Sequence, residues 1–490
     1  MWRSTDGARV STPTLPTALH LIGPDAVSGG TGGQLPHVNP ATGQTRQLDL
    51  AGPAEVDAAV AAARQAFPVW SGLEPMARRY LLQRLAQKLN EHADELAGLS
   101  TWESGMPVRY AATMAATGPA EWFDYYAGWA DKLNGEVIGA WNFNYTLPEP
   151  YGVVAAIVPF NGPIWEIGMK AAPALAAGNT VVIKPPELAP YTSVLFGQLC
   201  LDAGIPPGVV NIVLAGPEGT SALVSHPGID KISFTGSAGT GRKILAAAAT
   251  NLTPVLLELG GKSSVLIFDD ADVDAAVAAV AQFAIAQNAG QICTSPNRVL
   301  AQPGVYDEVV DKLTAVAEGF TVGDPLSPET QVGPVISNAS AQRILSMISD
   351  GVAAGTARVT LGGARLGGEL TTGAFVAPTV LADVSPASAL AQNEIFGPVA
   401  TVSRVTDDDE AVAVANDVEQ GLAAYVFSRD FSRCHTFARR LLVGSVSING
   451  LGNHMIYSPF GGKKGSGFGR EGGRAGIEEF VSVKSVSAQL

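Results

Sequence analysis

Cys293 is the residue whose type and setting in this chain best suit covalent chemistry. It lies in the run Gly290-Gln291-Ile292-Cys293-Thr294, directly after a long apolar helical pattern, so we expect the glycine to end the helix and leave the cysteine on a turn. A thiolate held on a turn can meet a ligand. A free cysteine is more often a small buried hydrophobic residue, so the assignment depends on the residues elsewhere in the chain.

Glu258 and Asn161 are polar residues that could assist a thiol. Glu258 ends a strand pattern and is followed by Gly260 and Gly261, where the backbone can pass close to a ligand, which makes it a candidate general base. Asn161 follows another strand pattern, and its amide could donate to a developing oxyanion. The alternatives are a loop carboxylate bonded to backbone and an ordinary Asn-Gly turn.

Two segments have the composition of a nucleotide site. In Phe234-Thr235-Gly236-Ser237-Ala238-Gly239-Thr240-Gly241 a strand pattern runs into a glycine-rich helix start, whose free amides can bind an anion. The spacing is G-x-x-G-x-G, not the usual dinucleotide fingerprint, so a simple tight connection is the alternative. In Lys184-Pro185-Pro186-Glu187, the carboxylate could accept hydrogen bonds from ribose hydroxyls or lie in a solvated turn.

These segments lie where predicted strands end. Helical patterns cover 56–70 and 76–104, and strand patterns then cover 153–159, 180–184, 209–215, 231–234 and 254–258, with helical patterns at 171–177, 193–203, 221–225 and 239–249. A second alternating region has helical patterns at 273–289, 306–317 and 339–353 and strand patterns at 264–268, 298–301 and 444–448. The pattern predicts two α/β domains with parallel sheets and a cleft between them, and an edge strand in the tail at 480–489.

The composition excludes several classes of protein. With 47% hydrophobic and 16% charged residues, the chain is typical of a globular protein with large buried faces rather than a disordered one. The net charge of −14 argues against nucleic acid or an anionic membrane as the main partner. The three cysteines show no paired spacing, which argues against a disulfide framework, and no motif indicates a catalytic metal site. No secretory signal is visible, so we expect a cytoplasmic protein.

Together these motifs resemble the signature blocks of the NAD(P)-dependent aldehyde dehydrogenase superfamily. Five further runs add to the resemblance: Asn39-Pro40-Ala41-Thr42-Gly43, Tyr125-Tyr126-Ala127-Gly128-Trp129-Ala130-Asp131-Lys132, Glu394-Ile395-Phe396-Gly397-Pro398-Val399, Pro459-Phe460-Gly461-Gly462-Lys463 and Ser466-Gly467-Phe468-Gly469-Arg470-Glu471. The resemblance extends from about residue 35 to the C-terminus, and several independent motifs in the expected order make it specific.

The resemblance implies an α/β fold with two Rossmann-like parallel-sheet domains, one for the cofactor and one catalytic, and a small β oligomerisation arm. The implied boundaries are an N-terminal arm at 1–34, an NAD-binding domain at 35–130 and 151–260, a catalytic domain at 261–465, and oligomerisation strands at 131–150 and 476–490. The implied assembly is a homodimer or a homotetramer.

The resemblance also implies the chemistry. Cys293 is the nucleophile, Glu258 the general base and Asn161 an oxyanion donor beside the Cys293 backbone N–H, with Lys170 in support. The implied reaction is the NAD-dependent oxidation of an aldehyde to a carboxylic acid. It passes through a cysteine thiohemiacetal and a thioester, which water activated by Glu258 releases.

Cofactor residues are assigned in the same way. The family pattern places Lys184 and Glu187 at the adenosine ribose, Ser237 at the pyrophosphate, and Glu394 and Phe396 at the nicotinamide ribose. The other cofactor-binding residues that it implies are Pro159, Phe160, Phe234, Gly236 and Gly261. The Glu187 carboxylate should repel a 2′-phosphate, so we expect NAD to be preferred over NADP.

The aldehyde pocket departs most from the family pattern. Its implied lining is Gly162, Trp165, Glu166, Met169, Ile292, Thr294, His454 and Phe460. Trp165 and Phe460 favour an apolar or aromatic aldehyde, whereas Glu166 and His454 are expected to face solvent or a polar substrate. Gly162 and Met169 supply no aromatic ring, which argues against a cage for a quaternary ammonium group.

Three other functions are compatible with parts of the pattern. A CoA-acylating semialdehyde dehydrogenase would pass the acyl group to CoA, but such relatives commonly lack the glutamate present here as Glu258. A thiol hydrolase without cofactor would have no use for the ribose and phosphate motifs. A non-catalytic protein on this fold should have lost Cys293 or Glu258, and both are present.

Overall fold

The computed structural model describes residues 12–17, 19–139, 142–452 and 455–489. The strands of its first half are β1 (His20–Ile22), β2 (Asp25–Val27), β3 (Gln34–Val38), β4 (Thr45–Asp49), β5 (Val137–Gly139), β6 (Phe143–Pro150), β7 (Val153–Ile157), β8 (Thr180–Lys184), β9 (Val210–Ile212), β10 (Lys231–Gly236) and β11 (Val255–Leu259). The helices are α1 (Pro53–Ser71), α2 (Pro75–Glu91), α3 (Ala93–Ser104), α4 (Val108–Ala112), α5 (Gly118–Ala127), α6 (Pro163–Ala176), α7 (Tyr191–Asp202), α8 (Pro217–Val224) and α9 (Ala238–Ala248), with a π-helical turn at Thr113–Thr117 before α5.

The second half continues the alternation. Its strands are β12 (Ser264–Ile267), β13 (Arg298–Ala301), β14 (Arg358–Leu361), β15 (Thr379–Ala382), β16 (Val399–Arg404), β17 (Gln420–Gly421), β18 (Ala423–Phe427), β19 (Ser445–Ile448), β20 (Lys463–Lys464), β21 (Gly467–Phe468) and β22 (Val481–Ala488). Its helices are α10 (Val273–Val280), α11 (Pro303–Glu318), α12 (Asn338–Ala353), α13 (Ala389–Gln392), α14 (Asp408–Asn416), α15 (Phe431–Arg440) and α16 (Gly473–Glu478). A 3₁₀ turn at Gly368–Leu370 follows β14.

The first large sheet has the strand order β2-β1-β9-β8-β7-β10-β11-β21. Its centre, from β9 to β11, is parallel, and the strands at both edges are antiparallel. Every residue of β7 and β8 is buried, as expected for parallel strands covered on both faces. The chain leaves β7 on one side for β8 and returns on the other for β10, and this change of direction opens a crevice at the carboxyl ends of the strands.

The second large sheet has the order β14-β15-β16-β13-β12-β18-β19 and is parallel except for the β14–β15 pair. Two parallel-centred sheets with helices between their strands confirm the predicted α/β class. A third sheet, β22-β6-β5, is antiparallel, and β22 pairs with β6 from Val481↔Pro150 to Ala488↔Phe143. No helix in the described ranges is long and apolar enough to cross a bilayer.

Two helix predictions were wrong. The pattern at 76–104 forms two helices that meet at His92, whose backbone leaves the α conformation. The pattern at 273–289 is α-helical only to Val280 and then π-helical over Ala281–Ala286, after which the backbone leaves the right-handed helix, with positive φ at Asn288 and Ala289. Apolar periodicity does not report such a change, because each of these helix types can keep one face against the core.

Glu103 joins two helices of the first half. Its buried carboxylate accepts hydrogen bonds from the backbone N–H groups of Tyr191 and Thr192 and from the Thr192 hydroxyl, at the first turn of α7. Burial raises the pKa of Glu103 to about 8, although these hydrogen bonds, which satisfy N–H groups that the helix start leaves free, oppose the shift. Glu103 therefore holds the end of α3 against α7.

Glu103→Ala should lower the free energy of unfolding by about 2–4 kcal/mol, since it leaves several buried donors without an acceptor. Denaturant unfolding followed by circular dichroism measures the change. Glu95→Ala, an exposed glutamate on the same helix, is the matched control and should change stability by less than about 0.5 kcal/mol. Equal stability of the two variants would contradict this role for Glu103.

Candidate active site

Cys293 lies half-buried on a turn between α10 and β13. Two residues before this turn, Asn288 and Ala289, have left-handed backbones with φ of 51° and 50°. Gly290 follows with φ of 69°, and a Cβ there would lie 2.2 Å from the Gly397 carbonyl oxygen. Only glycine fits this place, and the chain reverses there to bring the cysteine back toward the first sheet.

Asn288 connects the cysteine turn to the loop after β7. Its side-chain amide donates to the backbone carbonyls of Asn161 at 3.1 Å and Gln291 at 3.3 Å. In the described part of the chain, no group accepts a hydrogen bond from the Asn161 side-chain amide or from the Cys293 backbone N–H. Two donors thus have no acceptor among the described residues, one on the cysteine itself and one in the loop that Asn288 joins to the cysteine turn, and such donors are what an oxyanion needs.

The surroundings of Cys293 keep its thiol protonated. Burial raises the pKa of the thiol well above its usual value, and the carboxylates of Glu166, Glu394 and Glu258 raise it further, while the Thr294 backbone N–H opposes them. The Tyr425 hydroxyl donates to the Thr294 carbonyl at 2.8 Å and anchors the far side of the turn. Deprotonation therefore needs a base or an added positive charge.

Glu258 is the penultimate residue of β11 and is 3% exposed. Neither of its carboxylate oxygens has a hydrogen-bond partner among the described residues. A Cβ at Gly461 would lie 2.7 Å from Oε1 of Glu258, so that glycine leaves room for the carboxyl group. Burial raises the pKa of Glu258 well above its usual value, and Glu471 adds to the shift while Lys170 opposes it. A buried, unpartnered carboxyl group beside a thiol can hold and activate a water molecule.

Lys170 on α6 is the buried cation whose charge acts on Glu258. Its ammonium group is fully buried, 2.8 Å from Oε1 of Glu471 and 3.8 Å from Oε2 of Glu166. Glu166 also accepts a hydrogen bond from the Thr235 hydroxyl at 2.9 Å. Glu166 is 8% exposed, so the expectation that it could face solvent was wrong: its position one turn before Lys170 turns it toward the sheet.

A cleft of about 580 Å³ lies at the crevice of the first sheet. It brings together seven of the ten predicted cofactor residues: Pro159, Phe160, Lys184, Glu187, Phe234, Gly236 and Ser237. The Lys184 ammonium pairs with Glu187 at 2.7 Å. The Ser237 hydroxyl caps α9 by accepting from the Thr240 N–H, which leaves the other first-turn amides free for an anion.

The other three predicted cofactor residues lie beside this cleft, nearer the cysteine: Gly261, Glu394 and Phe396. Oε1 of Glu394 accepts a long hydrogen bond of 3.4 Å from the Gly261 N–H, and a Cβ at Gly260 would lie 2.2 Å from Oε2. Burial raises the pKa of Glu394 to about 7. The Phe396 ring packs edge-on against Phe160 at 5.7 Å and so connects this group to the cleft.

The residues predicted to line the aldehyde pocket have mixed positions. Gly162, Met169 and Phe460 are buried, and Trp165, Ile292 and Thr294 are half-buried. His454 lies outside the described residues. A Cβ at Gly118 would lie 2.1 Å from the Trp165 ring, so the glycine on α5 makes room for the indole.

Sequence reasoning assigned no role to three residues at this site. Thr235 binds Glu166, Glu471 binds Lys170, and the Met114 methyl group would lie 3.6 Å from a Cβ at Gly162. Glu471 stands in one of the signature runs, but only the fold shows that it is buried beside Lys170. Met114 had no local signal, because it lies outside every motif and helical pattern recognised in the sequence, and the structure places it in the π-helical turn before α5.

Comparison with known proteins agrees with this geometry. The model of the aldehyde dehydrogenase family matches residues 27–486. The chain is 40% identical to betaine aldehyde dehydrogenase of Vibrio vulnificus (strain CMCP6) over 474 residues, 96% of this chain and 97% of the relative.

Solved structures have the same fold. A putative aldehyde dehydrogenase from Burkholderia cenocepacia is 38% identical with a TM-score of 0.94, and the match covers 96% of this chain and 97% of that one. PnpE of Pseudomonas sp. WBC-3, in its complex with nicotinamide adenine dinucleotide, is 38% identical with a TM-score of 0.94, covering 96% of this chain and 98% of that one. Family, sequence and fold agree along almost the whole chain, which therefore belongs to the aldehyde dehydrogenase family.

Proposed function

We propose that this enzyme oxidises an aldehyde to a carboxylic acid with NAD, through a thioester on Cys293 that water releases. One observation carries the proposal: Glu258 is buried and has no hydrogen-bond partner among the described residues, and its carboxylate is close enough to Cys293 to raise the pKa of the thiol. Such a carboxyl group is costly for stability, so its retention indicates a partner that arrives during the reaction, which we identify as water.

The first step is loss of the Cys293 thiol proton to water, followed by attack of the thiolate on the aldehyde carbon. The oxygen of the resulting thiohemiacetal becomes negatively charged, and the Asn161 amide and the Cys293 backbone N–H are the free donors that would stabilise it. When held in the cleft, a nicotinamide would supply the hydride acceptor. Loss of hydride leaves a thioester on Cys293, and Glu258 takes a proton from the water that cleaves it.

The residues of the cleft fit a dinucleotide. Its volume of about 580 Å³, the helix start at Ser237 and the Lys184–Glu187 pair provide space, free amides and ribose acceptors. Glu394 and Phe396 would hold the nicotinamide end next to Cys293. PnpE, solved with NAD, supports the same cofactor here. On this basis the first sheet is the core of the cofactor domain and the second that of the catalytic domain.

The substrate that the pocket favours is an apolar or aromatic aldehyde. Trp165 and Met114 border the space beside Gly162, and Phe460 belongs to the hydrophobic core against which Trp165 packs. The Vibrio relative is named for betaine aldehyde, but Gly162 and Met169 offer no aromatic ring to a quaternary ammonium group.

The β22-β6-β5 sheet is our candidate for subunit association. Its side chains Val137 and Val483 are 72% and 66% exposed, and Phe143 is 46% exposed. A second copy that covered them would remove apolar surface from water, as a dimer or tetramer requires.

Glu258→Gln should form one NADH per subunit in a burst and then stop, because the thioester forms but no base activates water. Rapid-mixing absorbance at 340 nm measures the burst, and intact mass shows the acylated cysteine. Cys293→Ala should show neither burst nor turnover. Undiminished steady-state NADH formation by Glu258→Gln would contradict hydrolysis by this residue, and rescue by added CoA would indicate acyl transfer to CoA.

Asn161→Ala should lower kcat by about 10²–10³-fold, because it removes one donor from the oxyanion. Steady-state kinetics with a fixed aldehyde and saturating NAD give the value, and NAD affinity by fluorescence should stay unchanged. A loss confined to KM would show that Asn161 binds substrate rather than the oxyanion.

Glu187→Gln should increase the use of NADP relative to NAD by about tenfold or more, which corresponds to roughly 1.4 kcal/mol. It removes the repulsive charge and frees Lys184 to meet a 2′-phosphate. The measurement is kcat/KM for both cofactors. Equal use of the two cofactors by the unmodified enzyme would refute the proposed NAD preference.

A further inference from the structure

Three carboxyl groups surround one lysine behind the thiol. Glu166, Glu258 and Glu471 are 8%, 3% and 0% exposed, and Lys170 is 0% exposed. Lys170 is committed to Glu471 at 2.8 Å and reaches Glu166 only at 3.8 Å. The next cation, Arg470, donates to the Gly462 and Gly469 carbonyls. With more carboxylates than cations in a buried site, the cluster must retain a proton at neutral pH.

Glu166 is the carboxyl group of this cluster whose charge acts on both predicted reacting groups. Thr235, its hydrogen-bond donor, stands in register with Glu258 on the neighbouring strand, so the two side chains lie on the same face of the sheet. Glu166 follows Trp165 on α6, and Trp165 packs against the same hydrophobic core as Cys293. Among the carboxylates that raise the pKa of that thiol, Glu166 has the largest effect.

Few charged groups of the described ranges lie around these atoms. Glu166 is faced by Lys170 and Glu471; Glu258 by Glu471, Lys170, Glu166 and Arg470. Cys293 is faced by Glu166, Glu394 and Glu258, and its titration also affects Tyr425. Burial raises the pKa of Glu166 to about 7, against the opposing effects of Lys170 and the Thr235 hydroxyl. Glu166 is therefore ionised in the alkaline range where the thiol begins to lose its proton.

We propose that Glu166 is a positioning residue whose negative charge adds to burial in keeping the Cys293 thiol and the Glu258 carboxyl protonated in the resting enzyme, and so shifts the pH at which the enzyme becomes active. The inference rests on the roles proposed above for Cys293 and Glu258. The sign follows from electrostatics, since a nearby negative charge favours the neutral form of both a thiol and a carboxyl group. The resting thiol is thereby protected from alkylation and oxidation.

The test is Glu166→Gln, which removes the charge and keeps an oxygen for the Thr235 hydroxyl. The rate of Cys293 alkylation by iodoacetamide is measured against pH, with Cys293→Ala to subtract the other cysteines. The apparent pKa of the thiol should fall by about one unit, so that alkylation at pH 8 is several-fold faster. The acid limb of the kcat–pH profile should move to lower pH in the same variant.

Two matched variants separate charge from structure. Glu166→Asp keeps the charge and should keep the alkylation profile of the unmodified enzyme. Thr235→Val removes the hydrogen bond and should leave the thiol titration unchanged, because Glu166 is still ionised at that pH. If Glu166→Gln unfolds, Glu166→Met, an apolar side chain suited to a buried helix, takes its place.

An unchanged or raised apparent thiol pKa in a folded, charge-removing variant would overturn the inference. Alkylation needs neither aldehyde nor NAD, so this result stands apart from the proposed reaction. A lowered pKa in an enzyme that oxidises no aldehyde would contradict the proposed function and leave the role of Glu166 intact.

Discussion

The buried ion pair between Lys170 and Glu471 is the interaction on which the site most depends. The two residues are 301 positions apart, and neither side chain is exposed. Breaking such a pair leaves a charge in a medium that cannot solvate it, so the pair holds α6 against the C-terminal segment. That segment is also fixed by the paired backbones of Phe460 and Glu471 and by the Tyr126 hydroxyl on the Gly473 carbonyl. The same C-terminal segment contacts the Glu258 carboxyl group at Gly461.

The parallel sheet explains why residues far apart in the chain meet here. The carboxyl ends of strands β7, β8, β10 and β11 all lie on the same side of the first sheet. The segments that follow these strands, with Asn161, Glu187 and Ser237, therefore converge there. The second sheet contributes the cysteine turn before β13 and the loop with Glu394. Gly260 and Gly261, which follow β11, let the first sheet pack closely against these segments. A side chain at Gly260 would collide with Glu394, and one at Gly261 would collide with the Cys293 carbonyl.

The site concentrates features that are costly elsewhere in the protein. The chain before Cys293 has left-handed residues at Asn288 and Ala289, and the Glu258 carboxyl has no partner among the described residues. Strain and unsatisfied polar atoms of this kind persist where the surrounding packing overdetermines them, and they are characteristic of functional sites. The Asn288 side chain, bonded to the Asn161 and Gln291 carbonyls, is one of the contacts that stabilise the turn.

The sequence by itself determined the α/β class, the parallel strands that carry the motifs, and the identity of Cys293, Glu258, Asn161 and the cleft residues as candidates. It could do so because strand alternation, glycine-rich turns and the residue types of the motifs are local properties. It failed where a local pattern is ambiguous, as in the helix at 273–289, and where the outcome depends on long-range burial. Glu166 is the clearest case: one turn of helix from Lys170, it could have faced solvent or substrate. Only the tertiary structure decided that it lies buried against Thr235 and Lys170, because the strand, the helix and the C-terminal segment that enclose it come from three distant parts of the chain.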